Sequence, residues 1–171
     1  MNFEYVKLKN FIDCSETEVL NILDIRNSDF VRNMMWNRDV ITLSSHLSFL
    51  KKLINNDEQL YWAVFYKDRL IGSVYIDMST KKWGMYLAES CSGFGLDIEL
   101  YFLLFLKESL LLDKVYGEVK LNNIQNIVLQ KIVSTCEEIN EDYILFEYNL
   151  CDYFSKSKNL KEIKRDILKR I

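Results

Sequence analysis

Two glycines, Gly93 and Gly95, separate the strand-like segment 82–87 from the most apolar stretch of the chain, residues 96–112, and no proline stands among the 171 residues to break or kink either side. With only three other glycines (Gly72, Gly84 and Gly117), the chain places backbone freedom sparingly, and a pair in one turn marks an abrupt change from strand to helix. N–H groups ahead of a helix lack intrahelical partners, and the positive end of the helix dipole adds to them. A glycine turn at that point lets an anion such as a pyrophosphate come close. On this reading, unpaired amides around residues 92–96 form a cradle. The same turn serves equally well as a plain strand-to-helix connection, and taken alone it does not choose between the two.

The pattern elsewhere alternates between sheet and helix. Imperfect alternation over residues 3–11 predicts a strand. Ser15, followed three residues later by Glu18, forms a capping box for a helix with Val19, Leu20, Ile22, Leu23 and Ile25 on its apolar face, ending near Arg26 and Asn27. A polar stretch containing Met34, Met35 and Trp36 follows. Ser44 or Ser45 then caps a second helix carrying Leu47, Phe49, Leu50, Leu53 and Ile54. Residues 61–66 and 70–76, broken by Lys67-Asp68, predict an antiparallel hairpin leading into strand 82–87. After the apolar helix come a strand over 114–120, a helix over 124–135 and a strand over 143–150, with no internal repeat. From residue 152 the chain turns basic, with Leu160, Ile163, Ile167 and Ile171 on one helical face. The expected organisation is one domain over 1–150 and a basic C-terminal helix over 151–171.

Charge and cysteine usage exclude several classes. Twenty-two Lys and Arg against 25 Asp and Glu leave a formal charge of −3, which argues for no generic binder of nucleic acid or membrane surface. The longest uncharged apolar run, residues 100–106, falls far short of the roughly 20 residues a membrane span requires. The N-terminus opens with polar and charged residues rather than a signal core. Cys14, Cys91, Cys136 and Cys151 lie far apart with no CxxC pair, and His46 is the sole histidine, so no structural zinc or other metal is expected. Free thiols suit a reducing, cytoplasmic setting.

The order of elements, together with Ser90-Cys91-Ser92-Gly93-Phe94-Gly95, resembles the Gcn5-related N-acetyltransferases. Their pyrophosphate motif, Gln or Arg-x-x-Gly-x-Gly or Ala, keeps both small positions here and loses its first residue. Ile25-Arg26-Asn27, Met34-Met35-Trp36, the run from His46 to Leu53, Leu70-Ile71-Gly72, Gly84-Met85-Tyr86 and Asn122-Asn123 are similar to one subgroup, the pseudaminic acid pathway acetyltransferases. The resemblance covers roughly residues 3–150 and implies a mixed α/β fold. Its sheet is mostly antiparallel with a splayed parallel pair in the middle, flanked by helices.

That resemblance also implies a chemistry. An acetyl group passes directly from acetyl-coenzyme A to the amino group of a nucleotide-linked amino-deoxy sugar, without a metal and without nucleic acid or membrane as partner. Main-chain donors of Met85, Tyr86 and Leu87 would stabilise the tetrahedral oxyanion. Ser92, Gly93, Phe94, Gly95 and Leu96, with Asn123, would hold the coenzyme, whose pantetheine arm enters where strand 114–120 splays from strand 82–87. His46, Glu118 and Tyr86 are the catalytic candidates, the first two as bases, directly or through water. Arg26, Asn27, Met35, Trp36 and His46 are the acceptor contacts. Two departures stand out. Gln130 occupies the position where the family carries a proton-donating Tyr, and Glu89, Asp97 and Glu99 flank the turn, each costing about 1 kcal/mol against a nearby phosphate at high dielectric. A homodimer, a non-catalytic binding module, and acetylation of a protein or small amine remain open at this stage.

Overall fold

The computed structural model describes residues 1–134 and 136–156; the basic segment expected to be helical lies, from residue 157 on, outside the described residues. The strands are β1 (Val6–Asn10), β2 (Gln59–Tyr66), β3 (Arg69–Asp77), β4 (Lys82–Leu87), β5 (Lys114–Lys120), β6 (Cys136–Ile139) and β7 (Tyr143–Asn149). The helices are α1 (Glu16–Asn27), α2 (Asp29–Met34), α3 (Leu43–Leu53), α4 (Gly95–Ser109), α5 (Ile124–Val133) and α6 (Leu150–Lys156). The strands form one seven-stranded sheet in the order β1-β2-β3-β4-β5-β7-β6, with β4 and β5 parallel. This is the mixed, mostly antiparallel architecture expected from the sequence.

Within this sheet the chain forms two compact units, one of Met1–Ser79 with Gly84–Tyr101, the other of Thr80–Trp83 with the chain from Phe102 onward. In the first unit, Lys67 and Asp68 both take positive φ, 50° and 60°, and turn the β2–β3 hairpin as the two-residue break predicts. Ser15 and Glu18 make both arms of the capping box at the start of α1, which buries Val19, Ile22 and Leu23. α3 starts earlier than expected, because Thr42 Oγ1 accepts from the Ser45 N–H and so occupies the capping position assigned to Ser44 or Ser45. The residues following α1, read from sequence as irregular, contain α2, whose cap is Ser28. Phe11, Ile22, Leu53 and Ala63 form the core under α1 and α3, with Phe49, Leu50 and Tyr61 packed around it.

The contact between β3 and β4 is unusually close. A Cβ built on Gly72 would collide with the Tyr86 carbonyl oxygen and lie 2.8 Å from the Leu87 Cα. The Ala88 N–H donates to the Ile71 carbonyl at 2.8 Å, and the Tyr75 ring crosses Gly84 two residues along. Successive side chains alternate across a strand, so Tyr61 and Ala63 of β2, paired with Tyr75 and Ser73 of β3, share the face that α1 and α3 cover. Tyr86 and Gly84 continue that face onto β4.

In the second unit, β5 pairs with β7 from Lys114↔Asn149 to Lys120↔Tyr143, and β6 extends the ladder through Ile139↔Ile144. β6 was not foreseen, because four residues (Cys-Glu-Glu-Ile) carry too little apolar alternation to signal a strand. Trp83 packs its ring against Phe102 and Tyr148. Asn123 caps α5 by accepting from the Asn126 N–H.

Replacing Gly72 with Ala forces a Cβ into the backbone of β4, whose Tyr86 carbonyl and Leu87 Cα cannot swing aside as a side chain does. Gly72→Ala is expected to lower stability by about 2–3 kcal/mol, read as a reduced urea midpoint with an unchanged m-value.

Candidate active site

The face that α1 and α3 cover gathers polar groups that the core would not tolerate without a reason. His46, on the first turns of α3, is 5% exposed. Its ring lies against the Val19 backbone of α1, and Nε2 is buried with no hydrogen-bond partner. A neutral imidazole keeps one ring nitrogen as a lone-pair acceptor, and the unpartnered Nε2 is free to meet a ligand. Burial pushes the imidazole pKa below its ordinary 6.5, against a smaller upward pull from Val19, so the ring is neutral at physiological pH. Phe49 lies beside it, ring centroids 6.5 Å apart and nearly parallel, and meets Tyr61 edge-on at 5.0 Å. Tyr61 in turn stacks on Tyr75 at 5.0 Å and 15°. Burial, with smaller contributions from Tyr75 and Asp77, drives the Tyr61 phenol up to about 12.

Tyr86, half-buried on β4, completes the wall. Burial raises its pKa far above the ordinary phenol value, and Ser73 and the Arg26 guanidinium pull it back only in part. Tyr86 is therefore a neutral hydrogen-bond donor rather than an acid that readily parts with its proton. Ser73 itself is fully buried, and its Oγ has no well-formed hydrogen bond, although it acts on the Tyr86 hydroxyl. Arg26, in the last turn of α1, donates from Nη2 to the Asn37 carbonyl at 2.9 Å and keeps Nη1 buried and unpartnered.

The other sequence candidates are distributed differently. Asn27 uses both ends of its amide on one residue: Nδ2 donates to the Ile41 carbonyl at 2.8 Å and Oδ1 accepts from the Ile41 N–H at 2.9 Å. It ties down the loop ahead of α3. Met34 and Trp36 are 52% and 53% exposed and Met35 is half-buried, so Met34 and Trp36 are surface rather than core residues. In the second unit, Glu118 is ion-paired with Lys82. Gln130 is buried, its Nε2 donating to Asn126 Oδ1 at 3.0 Å.

The turn after β4 corrects one expectation. Residues Glu89–Phe94 coil into a 3₁₀ helix that runs straight into α4, in which the Cys91 N–H donates to the Ala88 carbonyl at 2.8 Å and the Gly95 N–H donates to the Ser92 carbonyl. The row of unpaired amides expected over 92–96 is absent in that form, because the 3₁₀ turn closes its own donors in i→i+3 bonds. Both glycines are nonetheless unexplained by the fold. Neither has positive φ. A Cβ on Gly93 would meet nothing within 4 Å, and one on Gly95 only the Met85 methyl at 3.7 Å.

Ser73, Tyr61 and Tyr75 were not singled out from sequence. Their signal was the hairpin register, Tyr61↔Tyr75 and Ala63↔Ser73, which becomes informative only once β4 is known to lie against β3. Among the described residues no group of three metal-ligating side chains comes together, and no helix is long and apolar enough to cross a membrane.

Comparison with known proteins fits this geometry. No family model matches the chain. Over 93 residues it is 31% identical to acetyltransferase PseH of Campylobacter jejuni subsp. jejuni serotype O:23/36 (strain 81-176), covering 53% of this chain and 59% of PseH, so the chain spans about three-fifths of the length of that curated relative. The crystal structure of Campylobacter jejuni N-acetyltransferase PseH in complex with acetyl coenzyme A matches with a TM-score of 0.68 at 22% identity, over 84% of this chain and 98% of the other. Spermidine N-acetyltransferase from Vibrio cholerae in complex with CoA and spermine matches with a TM-score of 0.69 at 16% identity, over 88% and 99%. The fold is that of N-acetyltransferases. In this acetyltransferase fold, the face of α1 and α3 carries a neutral histidine and a partly unpaired arginine.

The His46 ring also makes stability depend on pH. Its folded pKa lies below the unfolded 6.5, so its contribution is complete above pH 6.5 and is lost as pH falls through the lower folded value. The wild-type urea midpoint is expected to drop more steeply below about pH 6.5 than that of His46→Asn, measured across a pH series.

Proposed function

We propose that this chain is an acetyl-coenzyme A-dependent N-acetyltransferase whose acceptor is the amino group of a nucleotide-linked amino-deoxy sugar. The observation that carries the reading is Gly93: a glycine that neither backbone conformation nor packing requires, in the turn between β4 and α4, is the mark of a site where a ligand's phosphates come against the main chain. The likeness to acetyltransferase PseH supports the donor and the reaction type. A diphosphate there competes with the Ser92 carbonyl for the Gly95 N–H, so binding opens the 3₁₀ turn.

The acceptor amine must be neutral to attack the thioester. The His46 Nε2 lone pair takes its proton, directly or through one water, and the main-chain donors at the end of β4 stabilise the oxyanion. The new C–N bond forms as the C–S bond breaks, and the coenzyme thiolate takes its proton from solvent, since Gln130 has none to give and Tyr86 holds its own tightly. Glu118, engaged by Lys82, is not needed as a base. Arg26 Nη1 favours an anionic acceptor such as a nucleotide-sugar phosphate and disfavours a polycation such as spermidine, and the Tyr61–Tyr75 stack offers an apolar floor to a deoxy sugar. Cys14 and Cys91, both free thiols, suit a reducing cytoplasmic setting.

The closed turn and Gln130 favour a second reading, a binding module with the acetyltransferase fold and no catalysis. Thiol release separates the two. Purified protein with acetyl-coenzyme A is expected to release free thiol when a UDP-linked amino-dideoxy sugar is added and far less with spermidine; no release with the sugar would leave the binding module. Gly93→Ala is expected to keep its thermal midpoint, because the added Cβ occupies open space, yet to weaken coenzyme A binding by about tenfold or more in calorimetry.

A further inference from the structure

The buried polar set on the α1/α3 face contains one residue that the mechanism above does not use. Ser73 is fully buried on β3, and its Oγ lacks a well-formed hydrogen bond, a state that costs stability unless something compensates. Three contacts fix what stands beside it. The Ala88 N–H bonds the Ile71 carbonyl, Gly72 packs on the backbone at Tyr86 and Leu87, and Tyr75 crosses Gly84. Antiparallel strands held in that register put Ser73 directly across from Tyr86, on the same face.

We infer that Ser73 is a positioning residue for Tyr86: its hydroxyl donates to the Tyr86 oxygen and thereby aims the phenol's own proton at an oxygen of the acceptor. A phenol has one proton and a shared oxygen. When Ser73 O–H points at that oxygen, the Tyr86 O–H must turn outward, and a donor that itself accepts a hydrogen bond is the stronger for it. The two hydroxyls form a short chain running from the sealed interior of the sheet to the half-buried ring of Tyr86. The Arg26 guanidinium acts on the same phenol and keeps Nη1 unpartnered, so the oxygen received there carries negative charge or a strong dipole, as in a phosphate or carboxylate. Ser73 is sealed away from any ligand and acts only through Tyr86. This assignment rests on the acetyltransferase reading for its acceptor, but the link between the two hydroxyls does not.

The test has two arms. In the kinetic arm, Ser73→Ala is expected to lower kcat/KM for the UDP-linked amino-dideoxy sugar about tenfold through the acceptor KM, with the KM for acetyl-coenzyme A unmoved and the unfolding midpoint retained. In a Tyr86→Phe background the same substitution is expected to have no further effect. In the second arm, the protein carrying tyrosine labelled with ¹³C at Cζ, with the Tyr86 resonance assigned by its loss in Tyr86→Phe, is expected to show that resonance shifted in Ser73→Ala at neutral pH. An undiminished Ser73→Ala effect in the Tyr86→Phe background, or an unmoved Tyr86 resonance, would overturn the inference. Failure of every amine to release thiol would remove the acetyltransferase reading instead, and the labelled tyrosine still decides the Ser73–Tyr86 link without any turnover.

Discussion

The approach of β4 to Gly72 is the contact on which the candidate site depends. Only a residue without Cβ lets the Tyr86 carbonyl come that close, and the resulting register brings Tyr86 beside Ser73 and lays Tyr75 over Gly84. The polar wall beneath α1 and α3 follows from that alignment. The helices then supply what the sheet cannot: Arg26 from the end of α1 and His46 from the start of α3. Each of these side chains lies in surroundings that disfavour a change of charge. Burial keeps the imidazole neutral and the phenols protonated, so the wall presents a lone pair, a donor hydroxyl and a guanidinium rather than a set of interchangeable ions.

The turn between β4 and α4 obeys a different logic. Its amides do not wait unpaired; they close on carbonyls one 3₁₀ step back, and the dipole of α4 stands behind them. A ligand phosphate at this helix start would have to displace an internal bond, which lowers affinity without forbidding binding. Gly93 within it has no packing neighbour that requires the missing Cβ. Gly72 and Gly93 are the same residue type with opposite reasons, one demanded by the fold and the other left over by it.

Much of the architecture could be read directly. The capping box of α1, the Lys67-Asp68 hairpin, the apolar α4 and the strands β5 and β7 are written in local periodicity and turn chemistry, where each residue's neighbours in sequence are also its neighbours in space. Short elements escaped: α2 has six residues and β6 four, too few to establish a period. The site was legible only in part. Of the sequence candidates, Arg26, His46 and Tyr86 gather about the face under α1 and α3, whereas the Asn27 amide and the Gly95 N–H, expected to meet a ligand, are engaged by local bonds of the chain itself.

By itself the sequence determined the order of the longer strands and helices, the cap of α1 and the stretch in which a strand meets a helix across glycines, because these depend on propensities and caps acting over a few residues. Tertiary structure alone decided which side chains lost their water, that the His46 imidazole is buried and neutral and that Ser73 faces Tyr86. Those outcomes depend on the register of strands and on helices brought from elsewhere in the chain, and burial is a property of the assembled neighbourhood rather than of any residue within it.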